Sequence, residues 1–223
     1  MYDITPIHTS RGCLSYIVAD PVTREAAIID PSQEAGPDAY GDILKEKGLE
    51  LRYILETHTH ADHVSSAREL RGLFGGKIAM HESSPLPSKD IALADGSTLS
   101  LGRGTIEVLA TPGHTDESVT YRIPGAVFTG DALLIGGTGR TDFQRGNSTD
   151  LYESLWQKLM RLPEETIVHP AHNYEGRTAS TIGEEKRENP RLQMEKETFI
   201  AALDAHHPPL PELFDTAVPK NSN

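Results

Sequence analysis

Seven residues, Thr57-His58-Thr59-His60-Ala61-Asp62-His63, constrain this chain more than any other stretch. They follow directly on Arg52 to Glu56, a short apolar run of strand character. In an extended segment residues i, i+2 and i+4 face the same way. His58, His60 and Asp62 are therefore expected to converge, and His63 to open the following helix. Imidazole and carboxylate are the ligands that iron, zinc and manganese accept.

Three further ligand-type residues sit just beyond other strands. His114 follows a strand and the turn Thr111-Pro112-Gly113, Asp131 ends Val127-Phe128-Thr129-Gly130-Asp131, and His172 follows Ile167-Val168-His169-Pro170-Ala171. A site on the rim of a sheet needs this placement, because rigid strands hold its ligands. A lone histidine beside a strand is usually structural, and an aspartate often caps a turn. Neither reading explains the whole string together with three matched strand ends. His8, His81, His206 and His207 lack such support and read as surface or local packing. His169 is assigned at most an orienting role.

The rest of the chain reads as strands in two batches, each followed by helix. Leu14 to Ala19, Ala26 to Ile29 and Lys77 to Met80 join Arg52 to Glu56 in the first batch. Thr98 to Leu101, Thr105 to Ala110, Ser118 to Ile123, Ala126 to Thr129 and Thr166 to His169 form the second. Tyr40, Ile43 and Leu44 give a helical face ended by Gly48. Val64, Ala67, Leu70 and Phe74 give another, ended by Gly75-Gly76. Leu151, Leu155, Leu159 and Leu162 recur at helical spacing, with Asp150 and Glu153 as a capping pair. Two packed sheets with helices outside are expected, in one domain over 1–223 with a C-terminal tail from about 208 to 223.

Composition narrows the classes. The net charge of −12 and the lack of a Lys/Arg block disfavour nucleic acid. No apolar run approaches the ~20 residues of a membrane span, and the first residues lack signal-peptide character, so a cytoplasmic location is expected. Cys13 is the one cysteine, which excludes an internal disulfide and Cys-based zinc motifs. It reads as a small buried hydrophobe within a strand. Gly136-Gly137-Thr138-Gly139 lacks the following helix and Lys-Ser/Thr of a phosphate loop and reads as a flexible loop beside the site. There is no Gly-x-Ser-x-Gly elbow for serine hydrolysis.

Taken together, the H-x-H-x-D-H string, the Gly-His at His114, the Gly-Asp at Asp131 and the last His172 resemble the metallo-β-lactamase superfamily. That resemblance implies an α/β fold: the αββα sandwich, two mixed β-sheets flanked by helices, with a metal site at one end. Finer segments resemble the persulfide dioxygenases. These are Thr129-Gly130-Asp131-Ala132-Leu133-Leu134, Gly139-Arg140-Thr141-Asp142-Phe143-Gln144, and His169-Pro170-Ala171-His172-Asn173-Tyr174. Ser180-Thr181-Ile182-Gly183-Glu184-Glu185-Lys186, Asn189-Pro190-Arg191-Leu192 and Ala217-Val218-Pro219 extend the match over nearly the whole chain. Two positions depart: Glu117 where many superfamily members carry glycine, and Asn173 in place of a common aspartate.

The resemblance implies one non-haem Fe(II) per chain on His58, His114 and Asp131, oxidising glutathione persulfide with O2 to sulfite and glutathione. Two histidines and one carboxylate leave open positions for O2 and substrate. His60, Asp62, His63 and His172 are then orienting groups. They would equally complete a second metal site, so a dinuclear glyoxalase II-like thioesterase is the alternative. Glutathione carries two carboxylates, for which Arg is suited; Arg140, Tyr174, Arg177 and Arg191 are the substrate-binding candidates. A purely structural metal protein is disfavoured because its site would normally be closed. The superfamily's nucleases are disfavoured by the acidic balance. The oligomeric state, a homodimer included, is left open.

Overall fold

The computed structural model describes residues 1–222. One six-stranded sheet has the order β1-β2-β3-β4-β5-β6, formed by Asp3–His8, Leu14–Ala19, Glu25–Ile29, Glu50–Leu55, Lys77–His81 and Ile91–Leu93. The other runs β12-β11-β10-β9-β8-β7, formed by Ser180–Thr181, Ile167–Pro170, Ala126–Gly130, Val119–Ile123, Gly104–Ala110 and Thr98–Leu101. Both are mixed: β1-β2-β3 and β7-β8-β9-β10 pair antiparallel, while β3-β4-β5-β6 and β10-β11 pair parallel.

The two-residue period of a strand sorts side chains between layers. Leu14, Tyr16 and Val18 of β2, with Ala27 and Ile29 of β3, face Val108, Tyr121 and Phe128 in the core between the sheets. Ile17, Ala19, Ala26 and Ile28 face the other way, onto Tyr40 and Leu44 of α1 (Pro37–Glu46) and Ala67 and Leu70 of α2 (Ala67–Phe74). Val127 and Val168 turn outward onto Leu151 and Leu155 of α3 (Ser148–Gln157), Ile182 of α4 (Ile182–Glu188) and Phe199 and Leu203 of α5 (Lys196–Asp204). Strands buried on both faces read as continuous apolar runs, which is why β2 and β3 were visible in the sequence. The layers are helix, sheet, sheet, helix, as expected.

Several local expectations change. The H-x-H-x-D-H string is a series of bends, not an extension of β4, and α2 starts only at Ala67, so His63 does not open it. The cap of α3 is Asn147, whose side chain accepts from the backbone N–H of Thr149 and Asp150, in place of the Asp150–Glu153 pair. The glycine loop is pinned: Leu134 and Gly137 exchange backbone hydrogen bonds, and Asn189 Nδ2 donates to Gly137 O at 3.0 Å. The expected C-terminal tail contains a helix within its described residues. Helix α6 (Phe214–Ser222) buries Ala217 and Asn221.

Candidate metal centre

Strand β4 leads to His58, which lies in a bend three residues past Leu55, β8 leads to His114, β10 leads directly into Asp131 and β11 leads to His172. All four lie at one end of the two sheets. His58, His114 and Asp131 each offer one ligand atom, and the three atoms lie within 4.8 Å of one another.

Each member of this triad has its other polar atom already occupied. His114 Nδ1–H donates to the carbonyl of Arg140 at 2.7 Å. His58 Nδ1 pairs with Thr57 Oγ1 at 2.9 Å, and Asp131 Oδ1 accepts from His172 Nδ1 at 2.6 Å. Outer partners of this kind fix the ring orientation and leave the opposite atom for a metal. Burial, with His60 and His114 nearby, holds the His58 imidazole well below its usual pKa and so neutral, the form that ligates.

Two glycines make the close packing possible. A Cβ at Gly139 would lie 2.4 Å from Asp131 O and 2.8 Å from His114 Nδ1, where its backbone N–H donates to that same Asp131 O. Gly130 has φ 54°, and a Cβ there would lie 2.5 Å from Thr57 Oγ1. The Gly-Asp and Gly-Arg-Thr-Asp segments are thus partly steric requirements.

His60 does not join the triad. Its Nε2 lies 3.1 Å from Asp30 Oδ1 and 3.3 Å from Glu56 Oε2, and all three groups are buried. Burial opposes the charge of His60, but the two carboxylates outweigh it and raise the pKa well above normal. The alternation expected for an extended string fails because the chain bends at Thr57 and His58. Asp62, His63 and His172 form a second group whose fourth member is Cys13. Cys13 is buried, as expected, but it precedes β2 in an isolated bridge to His172, and its Sγ lies 3.1 Å from Asp62 Oδ2. Its placement is polar.

The cavity in front of the triad is lined by His114, Asp131, His172, Arg140, Phe143, Tyr174 and, from the C-terminal segment, His206, Pro208, Pro209 and Pro211. The Tyr174 ring is 78% exposed and parallel to that of His172. Arg140 is already engaged: Nε and Nη2 grip Asp142 at 2.6 and 2.7 Å, and Nη1 and Nη2 donate to the carbonyls of Pro209 and Pro208. Arg177 pairs with Glu184 and, like Arg191, is not among the residues lining this cavity. His169 stacks on Phe128 in the interior, apart from the triad.

Sequence reasoning passed over Asp30, which accepts from Thr57 N and Oγ1 at 2.7 and 2.8 Å. It gave no role to Gln144, whose Nε2 donates to Thr59 O. Glu117, noted only as a departure, accepts from Thr59 N at 2.7 Å, so the acid anchors the metal loop. Asn221 donates to His60 O and His63 O and accepts from Ser65 N. No pattern near position 221 could have signalled this, since its partners lie 156 to 161 residues away in the chain.

Residues 8–172 match the family model described as Metallo-beta-lactamase superfamily. The mitochondrial persulfide dioxygenases ETHE1 of Mus musculus and Homo sapiens are each 41% identical over 210 residues, covering 93% of this chain and 82% of theirs. The chain belongs to the persulfide dioxygenase family of the metallo-β-lactamase superfamily. The crystal structure of ETHE1 from Myxococcus xanthus superposes with a TM-score of 0.95 at 39% identity, covering 99% of this chain and 98% of that one. A hydroxyacylglutathione hydrolase of Cereibacter sphaeroides is more distant, at 32% identity over 94% of this chain and 83% of its own length. Like the family's other members, the chain is an oxidoreductase.

Proposed function

We propose that this persulfide dioxygenase family member holds one Fe(II) on His58, His114 and Asp131 and uses O2 to oxidise glutathione persulfide to sulfite and glutathione. The observation that carries the reading is the diversion of His60 into the Asp30–Glu56 pair, which leaves a two-histidine, one-carboxylate set at the triad. Iron bound there would supply the redox change that zinc lacks, with positions left for O2 and a soft sulfur donor.

The protein's own groups supply positioning. The Arg140 carbonyl and His172 hold His114 and Asp131 in one orientation. Phe143 and the prolines of the C-terminal segment line the approach and limit water at the triad. Arg140 retains one Nη1 hydrogen beyond its protein contacts. That hydrogen and the exposed Tyr174 are the groups proposed to receive the glutathione part. Arg177 and Arg191 retain only their sequence assignment.

The reading keeps a cytoplasmic location, although the mouse and human relatives are named mitochondrial. No described helix is long and apolar enough to cross a membrane. Anaerobic metal analysis followed by O2 uptake with glutathione persulfide tests the proposal. About one iron per chain and stoichiometric O2 consumption are expected. Two tightly held zinc ions per chain, with thioester hydrolysis and no O2 uptake, would replace it with the glyoxalase II-like reading.

A further inference from the structure

His206, one of the histidines that read as surface in the sequence, lines the same cavity as His114 and Asp131. The end of α5 sets its position: its N–H donates to the Leu203 carbonyl at 3.0 Å, and Leu203 is buried. Just beyond it, Pro208 and Pro209 have φ fixed by their rings, and their carbonyls accept from Arg140 at 2.7 and 2.8 Å. The backbone on either side of His206 is therefore held before any ligand arrives. The neighbouring His207 is turned to Asp142, with Nδ1 3.4 Å from Oδ2. The His206 ring is exposed and has no hydrogen-bond or ion-pair partner among the described residues.

The charge balance of the cavity gives that free ring a use. Glutathione brings two carboxylates to a chain of net charge −12, and Asp62 and Asp131 stand in the same wall. An anion is drawn into such a site only by local positive charge. Four of the five guanidinium hydrogens of Arg140 are taken by Asp142, Pro208 and Pro209, and Asp142 also offsets its charge. Tyr174 offers a single neutral hydroxyl. One carboxylate is thus left without a charged donor. Among the described residues lining the cavity, His206 is the one outside Arg140 and the metal-centre histidines that can carry positive charge.

We propose that His206 is a specificity-determining residue, its ring donating a hydrogen bond to one terminal carboxylate of the glutathione part of the substrate. The assignment rests on the glutathione reading of the cavity. It adds a contact separate from Arg140 and Tyr174, and it favours persulfides of carboxylate-bearing peptides over neutral ones. His206 takes no part in bond making, so its effect falls on the binding of the substrate's far end.

Calorimetric titration of the full-length protein with S-methylglutathione tests this, because a ligand with its sulfur blocked needs neither iron nor O2. His206→Ala should weaken binding about tenfold, the scale of one lost charge-assisted hydrogen bond. His206→Lys, which restores a cation, should recover most of that loss. KM for glutathione persulfide should rise by a similar factor in His206→Ala, with iron content unchanged. Two S-methylglutathione analogues, each amidated at one carboxylate, identify the partner: one of them should bind wild type and His206→Ala equally well. Equal affinity of wild type and His206→Ala for S-methylglutathione overturns the assignment, as does a loss of the same size with both amides, or no binding to wild type. Failure of the dioxygenase reading shows separately. His206-dependent binding of S-methylglutathione with no O2 uptake from glutathione persulfide would reject that reaction and keep the role of His206.

Discussion

Asp131 Oδ1 and His172 Nδ1 are 2.6 Å apart, so the carboxylate that follows β10 is oriented by the histidine that follows β11. Burial works against the charge of His172, but Asp131 and Asp62 overcome it and raise its pKa well above normal. The same contact links the triad to the neighbouring Cys13 cluster. Asp131 and Asp62 thus both touch His172, yet only Asp131 belongs to the triad.

That difference gives a graded prediction. Asp131→Ala should lose most iron and nearly all activity. Asp62→Ala, which removes a partner of His172 but no triad member, should keep substantial iron and turn over about 10–100-fold more slowly. Iron stoichiometry and O2 uptake on the same folded preparations separate the two. Equal loss of iron in both would point to a dinuclear centre.

His60→Ala should act on stability before it acts on metal. It removes the cation between Asp30 and Glu56 and leaves two buried carboxylates facing each other. Breaking a buried pair by removing one partner costs roughly 3–5 kcal/mol, to be read from denaturant midpoints of the metal-free protein. A loss of iron with no loss of stability would return His60 to the metal site.

Arg140→Ala should do two things at once. It frees the carbonyls of Pro208 and Pro209 together with Asp142, so limited proteolysis after residue 205 should accelerate. It should also raise KM for glutathione persulfide. Arg177→Ala breaks a half-exposed pair with Glu184, where about 0–1 kcal/mol is typical, and an exposed hydrogen bond to Ala179 O, and should leave the proteolysis pattern and iron content unchanged. A KM change in Arg140→Ala without faster proteolysis would make its role purely substrate binding.

The Arg140–Asp142 contact also sets an acid limit. Hydrogen bonding from Arg140 lowers the Asp142 carboxyl to about 2. A carboxyl depressed on folding contributes stability that is complete above its ordinary value of about 4 and is lost as pH falls through the folded value. The clip on the C-terminal segment should therefore hold at pH 5 and weaken between about pH 4 and 2. Asp142→Asn should flatten that part of the stability–pH curve, measured by thermal unfolding across the range; an unchanged curve would reject the contribution.

Asn221→Ala tests the C-terminal helix as a support for the metal loop. It removes hydrogen bonds to His60 O, His63 O and Ser65 N and leaves the two buried carbonyls unmatched. A loss of roughly 1–3 kcal/mol is expected, with faster iron release on dilution into chelator. Unchanged iron release would confine Asn221 to helix packing.

The sequence by itself determined the layers and the rim. Apolar runs such as Leu14 to Ala19, buried on both faces, mark strands whose two-residue period leaves few alternatives to two packed sheets. His58, His114, Asp131 and His172 were legible because each ligand type stands just past such a run. Only the tertiary structure decided which of the clustered groups share a centre. His60 is two residues from His58 and its ring packs against those of His58 and His63, but its Nε2 is turned to the buried carboxylates of Asp30 and Glu56. Cys13 looked like an apolar strand residue because its partners Asp62 and His172 are distant in the chain. Asn221 looked like part of a tail for the same reason. Local periodicity records which face a residue takes in its own element. The partners supplied by other elements, and hence which of the clustered groups lie together, arise only when the two sheets close and α6 docks against the loop.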